Sequence, residues 1–189
     1  MAQQYGEISD RLAEFIAAQH LFFVATAARE GHVNVSPKGL DALRVLGPNR
    51  VLWLNGTGSG NETAAHLLDL NRMTLMFCSF ERQPQILRLY GAATEIQPGQ
   101  PEWDEFIGFF PPMPGARQIF DLSVDLVQTS CGYGVPLMEY AGERPLMAQW
   151  AEKKGPDGLG AYHRDKNLTS IDGFPTGLRV PDAPQAPGQ

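Results

Sequence analysis

A chain of 189 residues, 43% hydrophobic and 19% charged, with a net charge of −6, is long enough to bury a core as one domain with a structured extension. The acidic balance excludes general binding to nucleic acid or to anionic membranes, which depends on a basic surface, and no run approaches the ~18 apolar residues of a membrane span. Two cysteines, Cys78 and Cys131, are too few for a disulfide framework and lack paired metal spacing; with no basic-then-apolar leader, the expectation is a cytoplasmic protein.

Ser9 followed by Leu12, Phe15 and Ile16 predicts an amphipathic helix over about 9–20. The period then changes. Segments 21–28, 32–36 and 50–54 read as strands, with turns at Glu30-Gly31 and Gly47-Pro48-Asn49, and the first two are joined so tightly that they must pair antiparallel. A helix follows at 62–70, then strands at 73–79 and 85–96, and a short helix at 101–110 opened by Pro101. Phe120, Leu122, Val124 and Leu126 alternate with Asp121, Ser123 and Asp125, a strand with one wet face. Beyond residue 132 come turns and short helices near 145–153 and 157–167, and 181–189 reads as a disordered tail. Some six strands at hairpin spacing, with helices only at the periphery, predict a mainly β (α+β) antiparallel sheet closed into a barrel.

The segment Gly56-Thr57-Gly58-Ser59-Gly60-Asn61 runs from a strand into a helix. Glycines let backbone approach a ligand, and the free N–H groups of a first helical turn favour a phosphate. A plain turn with a Ser59/Glu62 capping box is the competing reading. No lysine follows Gly60, so it is not a P-loop, and the preceding hairpins exclude a dinucleotide fingerprint. Lys38, after Asn34-Val35-Ser36-Pro37, is either a solvated lysine or a cation against a ligand edge. In Ile86-Leu87-Arg88-Leu89-Tyr90 the alternation places Arg88 on one face with Ile86 and Tyr90, where it needs a partner. Cys131, with no histidine or acid placed to activate it, reads as a packing thiol. His20, His32, His66 and His163 share no ligand spacing, so no metal site is expected.

Four motifs in order carry a resemblance: Asn-Val-Ser-Pro-Lys-Gly at 34–39, Gly-Ser-Gly-Asn-Glu-Thr-Ala-x-His-Leu at 58–67, Leu-Met-Phe-Cys-x-Phe at 75–80 and Ser-Cys-Gly-Tyr-Gly-Val-Pro-Leu at 130–137. Together with the order of elements over 8–136 they resemble the pyridoxamine 5′-phosphate oxidase-like flavoproteins, the FMN-binding split barrels. The resemblance implies an FMN-binding split-barrel domain over 1–136 and a helical extension over 137–180, packed on the barrel or on a dimer partner. It further implies a homodimer with FMN between the subunits and an oxidoreductase acting on a small molecule. Val35, Ser36 and Lys38 would line the isoalloxazine edge, continued by Leu54 and Asn55. Ser59, Gly60, Asn61 and Thr63 would surround the phosphate. Arg88 would reach across from the partner, and Ser130 and Cys131 would meet the cofactor near the last strand. The chain departs from pyridoxamine phosphate oxidases proper, which carry an Arg-Lys pair at the phosphate helix and an Arg-x-His-type segment near the C-terminus. Here those places hold residues 60–63 and Lys166-Asn167 to Gly173, so the resemblance implies FMN without implying vitamin B6 oxidation. The alternatives are a deazaflavin-dependent split-barrel reductase and a non-catalytic flavin or haem module.

Overall fold

The computed structural model describes residues 2–180; the tail expected at 181–189 lies outside the described residues. In chain order the elements are β1 (Gln3–Tyr5), α1 (Asp10–Ala17), β2 (Phe22–Thr26), β3 (Asn34–Lys38), β4 (Leu43–Gly47), β5 (Arg50–Gly56), α2 (Glu62–Asp69), β6 (Met73–Cys78), β7 (Ile86–Ile96), α3 (Pro101–Ile107), β8 (Ala116–Ser130) and α4 (Leu146–Lys166). The strands form one antiparallel sheet in the order β3-β2-β6-β7-β8-β5-β4, and β1 adds to the far end of β8. This is the antiparallel split barrel, mainly β with peripheral helices. The 15-residue β8 is its spine, pairing with β7 along one side and with β5 and then β1 along the other.

The sheet curls around a largely apolar interior. Val24, Leu75, Leu87, Leu89, Ile119 and Phe120 are wholly buried, and the Phe22 ring of β2 meets Trp53 of β5 edge-on across the interior, 6.4 Å between centroids. Truncating any of these leucines to alanine costs roughly 2–5 kcal/mol, from lost burial and the cavity left behind. Leu12 and Ile16 of α1 close one end. The curl needs a bulge: Tyr90 pairs with Leu126 but Gly91 with Val124, leaving Asp125 unopposed. A Cβ on Gly91 would fall 1.9 Å from the Ser123 carbonyl oxygen, so only glycine fits there.

Among the described residues eight strands stand where about six were expected. β1 is three polar residues held by backbone pairing to β8, and β4 is half-buried at every position, so neither shows alternation. β8 also begins four residues earlier than its apolar alternation, because Arg117 and Gln118 are buried polar residues. The two C-terminal helices are present as one helical run broken at Gly155, whose φ is +63°, with Pro156 next to it. Among the described residues no helix is long and apolar enough to cross a membrane.

Candidate functional site

A cavity of about 360 Å³ opens where β3, β5 and the start of α2 converge, bounded by Ser36, Lys38, Asn55, Asn61, Thr63 and Arg117 among others. The 56–61 turn forms its floor. Asn61 is the N-cap residue of α2, yet its side chain caps nothing. It is 2% exposed, and both its Nδ2 and its Oδ1 lack a partner within the protein. Burying an amide unpaired is costly, so such a group marks a place where something else binds. The first-turn N–H groups of α2 have no acceptors within the helix and carry its positive end. The Ser59/Glu62 capping box does not form: the Glu62 carboxylate instead accepts the Ile171 N–H at 3.2 Å, which turns this acid toward the C-terminal segment.

Two cations border the same space. Lys38 lies over the Trp53 ring, 5.1 Å from its centroid, and its pKa is lowered to about 8, by burial first and by the Arg117 charge second. Arg117 is 4% exposed and braces the turn from behind, donating from Nη1 to the Gly60 carbonyl at 3.1 Å and to Asn167 Oδ1 at 2.7 Å, and from Nε to Gln118 Oε1 at 3.1 Å. Burial lowers its pKa to about 10, against the pull of Glu95, which burial pushes up to about 7. Among the described residues neither cation has a carboxylate within ion-pair distance. An anion would complement these two charges. A phosphate group fits this donor set: peptide N–H groups, the Asn61 amide, the Ser59 and Thr63 hydroxyls, and two cations.

Residues behind the wall fix its shape. Asn34 donates to Thr26 Oγ1 at 3.2 Å and to Thr63 Oγ1 at 3.3 Å, and Thr26 Oγ1 meets His66 Nδ1 at 3.1 Å. Asn167, wholly buried just after α4, donates from Nδ2 to the Gly58 carbonyl at 3.1 Å while accepting from Arg117. Thr57 Oγ1 donates to the Gly115 carbonyl at 2.8 Å and so accepts from His163 Nε2, also at 2.8 Å; burial, with help from Arg117, lowers the His163 pKa to about 4 and keeps the ring neutral. The glycine-rich turn is thus held on both sides by the C-terminal segment.

Of the site residues expected from sequence, Ser36, Lys38, Leu54, Asn55, Ser59, Gly60, Asn61 and Thr63 come together here. Val35 points away and is 61% exposed. Arg88 and Ser130 meet on β7 and β8, with Arg88 Nη1 donating to Ser130 Oγ at 3.3 Å, and Cys131 follows the end of β8; all three lie apart from the cavity. Cys131 is an exposed free thiol, where a packing thiol was expected, because β8 ends at Ser130 and the chain leaves the barrel; the buried thiol is Cys78. Arg117, Asn167 and His163 were not anticipated as site residues. For Arg117 the available signal was a charged residue placed just before an apolar strand, where it must find a polar partner. The triplets Asn61-Glu62-Thr63 and Asn167-Leu168-Thr169 match the pattern of N-glycosylation, and both asparagines are buried. Among the described residues no cluster of His, Cys, Asp or Glu is arranged to hold a metal ion.

Comparison with known proteins gives three findings. The family model for pyridoxamine 5′-phosphate oxidase matches residues 8–131. The pyridoxamine 5′-phosphate oxidase family protein ustO of Aspergillus flavus is 36% identical over 189 aligned positions, covering 90% of this chain and 76% of that one. Two crystal structures share the fold at low identity: Group A Streptococcus HupZ (TM-score 0.51, 18% identity, 65% of this chain and 99% of that one) and a Lactobacillus delbrueckii protein provisionally described as a pyridoxamine 5′-phosphate oxidase (TM-score 0.53, 15% identity, 65% and 94%).

Proposed function

This chain belongs to the pyridoxamine 5′-phosphate oxidase family, and on that premise we propose that it is a cytoplasmic, homodimeric FMN-binding oxidoreductase acting on a small molecule. The observation that carries the proposal is the α2 cavity, where a buried, unpartnered Asn61 amide and two cations without carboxylate partners await an anion. Bound FMN would supply the redox chemistry. The chain's own residues bind and orient. Ser59, Asn61 and Thr63, with the N–H groups around Gly60, hold the phosphate. Arg117 keeps the Gly60 carbonyl turned away from it. Ser36, Lys38, Leu54 and Asn55 line the remainder, and Lys38 offers positive charge to an electron-rich edge of the ligand. Val35, Arg88, Ser130 and Cys131, outside this protomer's cavity, would meet the cofactor of the second subunit.

Asn61→Leu tests this with little change in side-chain volume. Losing hydrogen bonds to a charged group costs roughly 1.5–3 kcal/mol, so FMN should bind about 10- to 100-fold more weakly, read from quenching of flavin fluorescence, while circular dichroism stays native. Wild-type protein that purifies colourless and ignores added FMN in a thermal melt would refute the assignment. Equal FMN affinity in Asn61→Leu would put the phosphate elsewhere.

A further inference from the structure

We propose that a second, larger cavity beside the first is the substrate site, built for an apolar small molecule that carries no negative charge; the word substrate rests on the FMN reading above. The cavity measures about 910 Å³ and lies between α1, the turn from β3 to β4, residues 111–114 and residues 140–148. That is ample for a drug-sized ligand. It shares Gly39, Leu40, Ala42, Met113 and Met147 with the α2 cavity, so the two are divided by one wall. The wall is under strain. Leu40 and Asp41 hold φ of +63° and +53°, values that side-chain-bearing residues rarely adopt. Strain of this kind persists where the surroundings over-determine it, characteristically at ligand sites.

The chemistry of the lining sets the class of ligand. Ile16, Phe22, Leu43, Val45, Phe77 and Pro111 supply apolar surface. Among the described residues Arg44 is the only lysine or arginine on it, and it is committed already. Its Nη1 and Nη2 donate to the Asp41 carboxylate at 2.7 and 2.9 Å, its Nε donates to the Phe109 carbonyl at 2.8 Å, and Nη1 also reaches the Leu43 carbonyl at 2.7 Å. Glu14 and Glu143 remain as acids. Glu143 accepts from the Tyr140 hydroxyl at 3.0 Å, and the Tyr140 ring lies flat on His20, with 3.6 Å between centroids and 7° between planes. A phosphate ester entering here would lose hydration, find no free cation and face two carboxylates. An uncharged aromatic or an aromatic amine would not. The two cavities therefore divide the labour: an anion beside Lys38 and Arg117, and an apolar molecule beyond the strained wall.

Isothermal titration of the full-length, FMN-loaded protein with 2-naphthol, 2-naphthylmethylamine and 2-naphthyl phosphate decides the matter. The first two should bind at least tenfold more tightly than the phosphate. Ala148→Trp, which fills the cavity from α4, should cost naphthol at least tenfold with FMN retention unchanged. Asp41→Asn keeps a residue type that tolerates positive φ and frees Arg44, so naphthyl phosphate should gain at least threefold. Naphthyl phosphate binding the wild type as well as naphthol does, or undiminished naphthol binding in Ala148→Trp, overturns the proposal. So does an Ala148→Trp protein that loses its dimer in sedimentation while still binding naphthol, because the cavity would then belong to the subunit contact. Titrating naphthol into FMN-free protein separates the two readings: a protein that never takes up FMN, yet binds naphthol and loses it in Ala148→Trp, supports the cavity and sinks the cofactor assignment alone.

Discussion

At the end of β3, Lys38 is pressed against Trp53 and shares its cavity with Arg117, and both effects disfavour its charge. With a folded pKa of about 8 against an ordinary 10.5, the sign of the linkage is clear. Between those values the unfolded chain keeps the lysine proton and the folded one releases it, so ligand-free stability rises with pH across that window. Anion binding runs the other way. Below pH 8 the cation is ready-made; above it, binding must recover a proton. FMN affinity should therefore fall about tenfold between pH 7 and 9, where only roughly a tenth of Lys38 stays charged, and Lys38→Met should bind weakly with a flat profile. A flat wild-type curve would remove Lys38 from the site. Much at this scale was legible in the sequence, because Ser36, Lys38, Asn55, Asn61 and Thr63 are polar residues at strand ends and a helix start. Arg117 signalled a need for a polar partner, but which partner was not legible. Its partners, Gly60 and Asn167, lie 57 and 50 residues away in sequence, and no periodicity links positions so far apart.

The strands with a clean inside and outside were legible too, since Phe120, Leu122 and Val124 alternate with polar neighbours and the core selects that pattern. The weak strands escaped because backbone hydrogen bonds, not side-chain pattern, define them. The C-terminal segment shows the same limit more sharply. A kinked helical run has no strong apolar stripe, yet the residue just beyond it is wholly buried and ties Gly58 to Arg117. Asn167→Ala removes both links and leaves Arg117 short of an acceptor, which should cost about 1–3 kcal/mol and lower the melting temperature. It should also loosen the glycine-rich turn, so FMN should dissociate several-fold faster in stopped-flow displacement. A lowered melting temperature with an unchanged FMN off-rate would mean that the C-terminal segment stabilises the barrel without shaping the site.

Over the whole molecule, exposed apolar side chains stand on several segments, Val33, Leu68 and Ile171 among them, and the chain that leaves β8 carries three: Tyr133, Leu137 and Met138 are 82%, 71% and 59% exposed. Exposed apolar side chains of this kind are what subunit contacts bury. If the proposed dimer uses it, Leu137→Asp combined with Met138→Asp should shift sedimentation to the monomer and weaken FMN retention in parallel, because the Arg88, Ser130 and Cys131 group would lose its place over the second cofactor. A monomeric variant that keeps FMN fully would separate cofactor binding from assembly. Apart from the short β1, the described strands end in two borders, β3 and β4, each with one neighbouring strand. A ligand lodged between Ser36 and Lys38 on the first border and Asn55 and Asn61 on the far side closes a seam that backbone hydrogen bonds leave open. It would act as a staple on the barrel, and its arrival would register as slowed amide exchange along β3 and β4, strands that do not pair with one another.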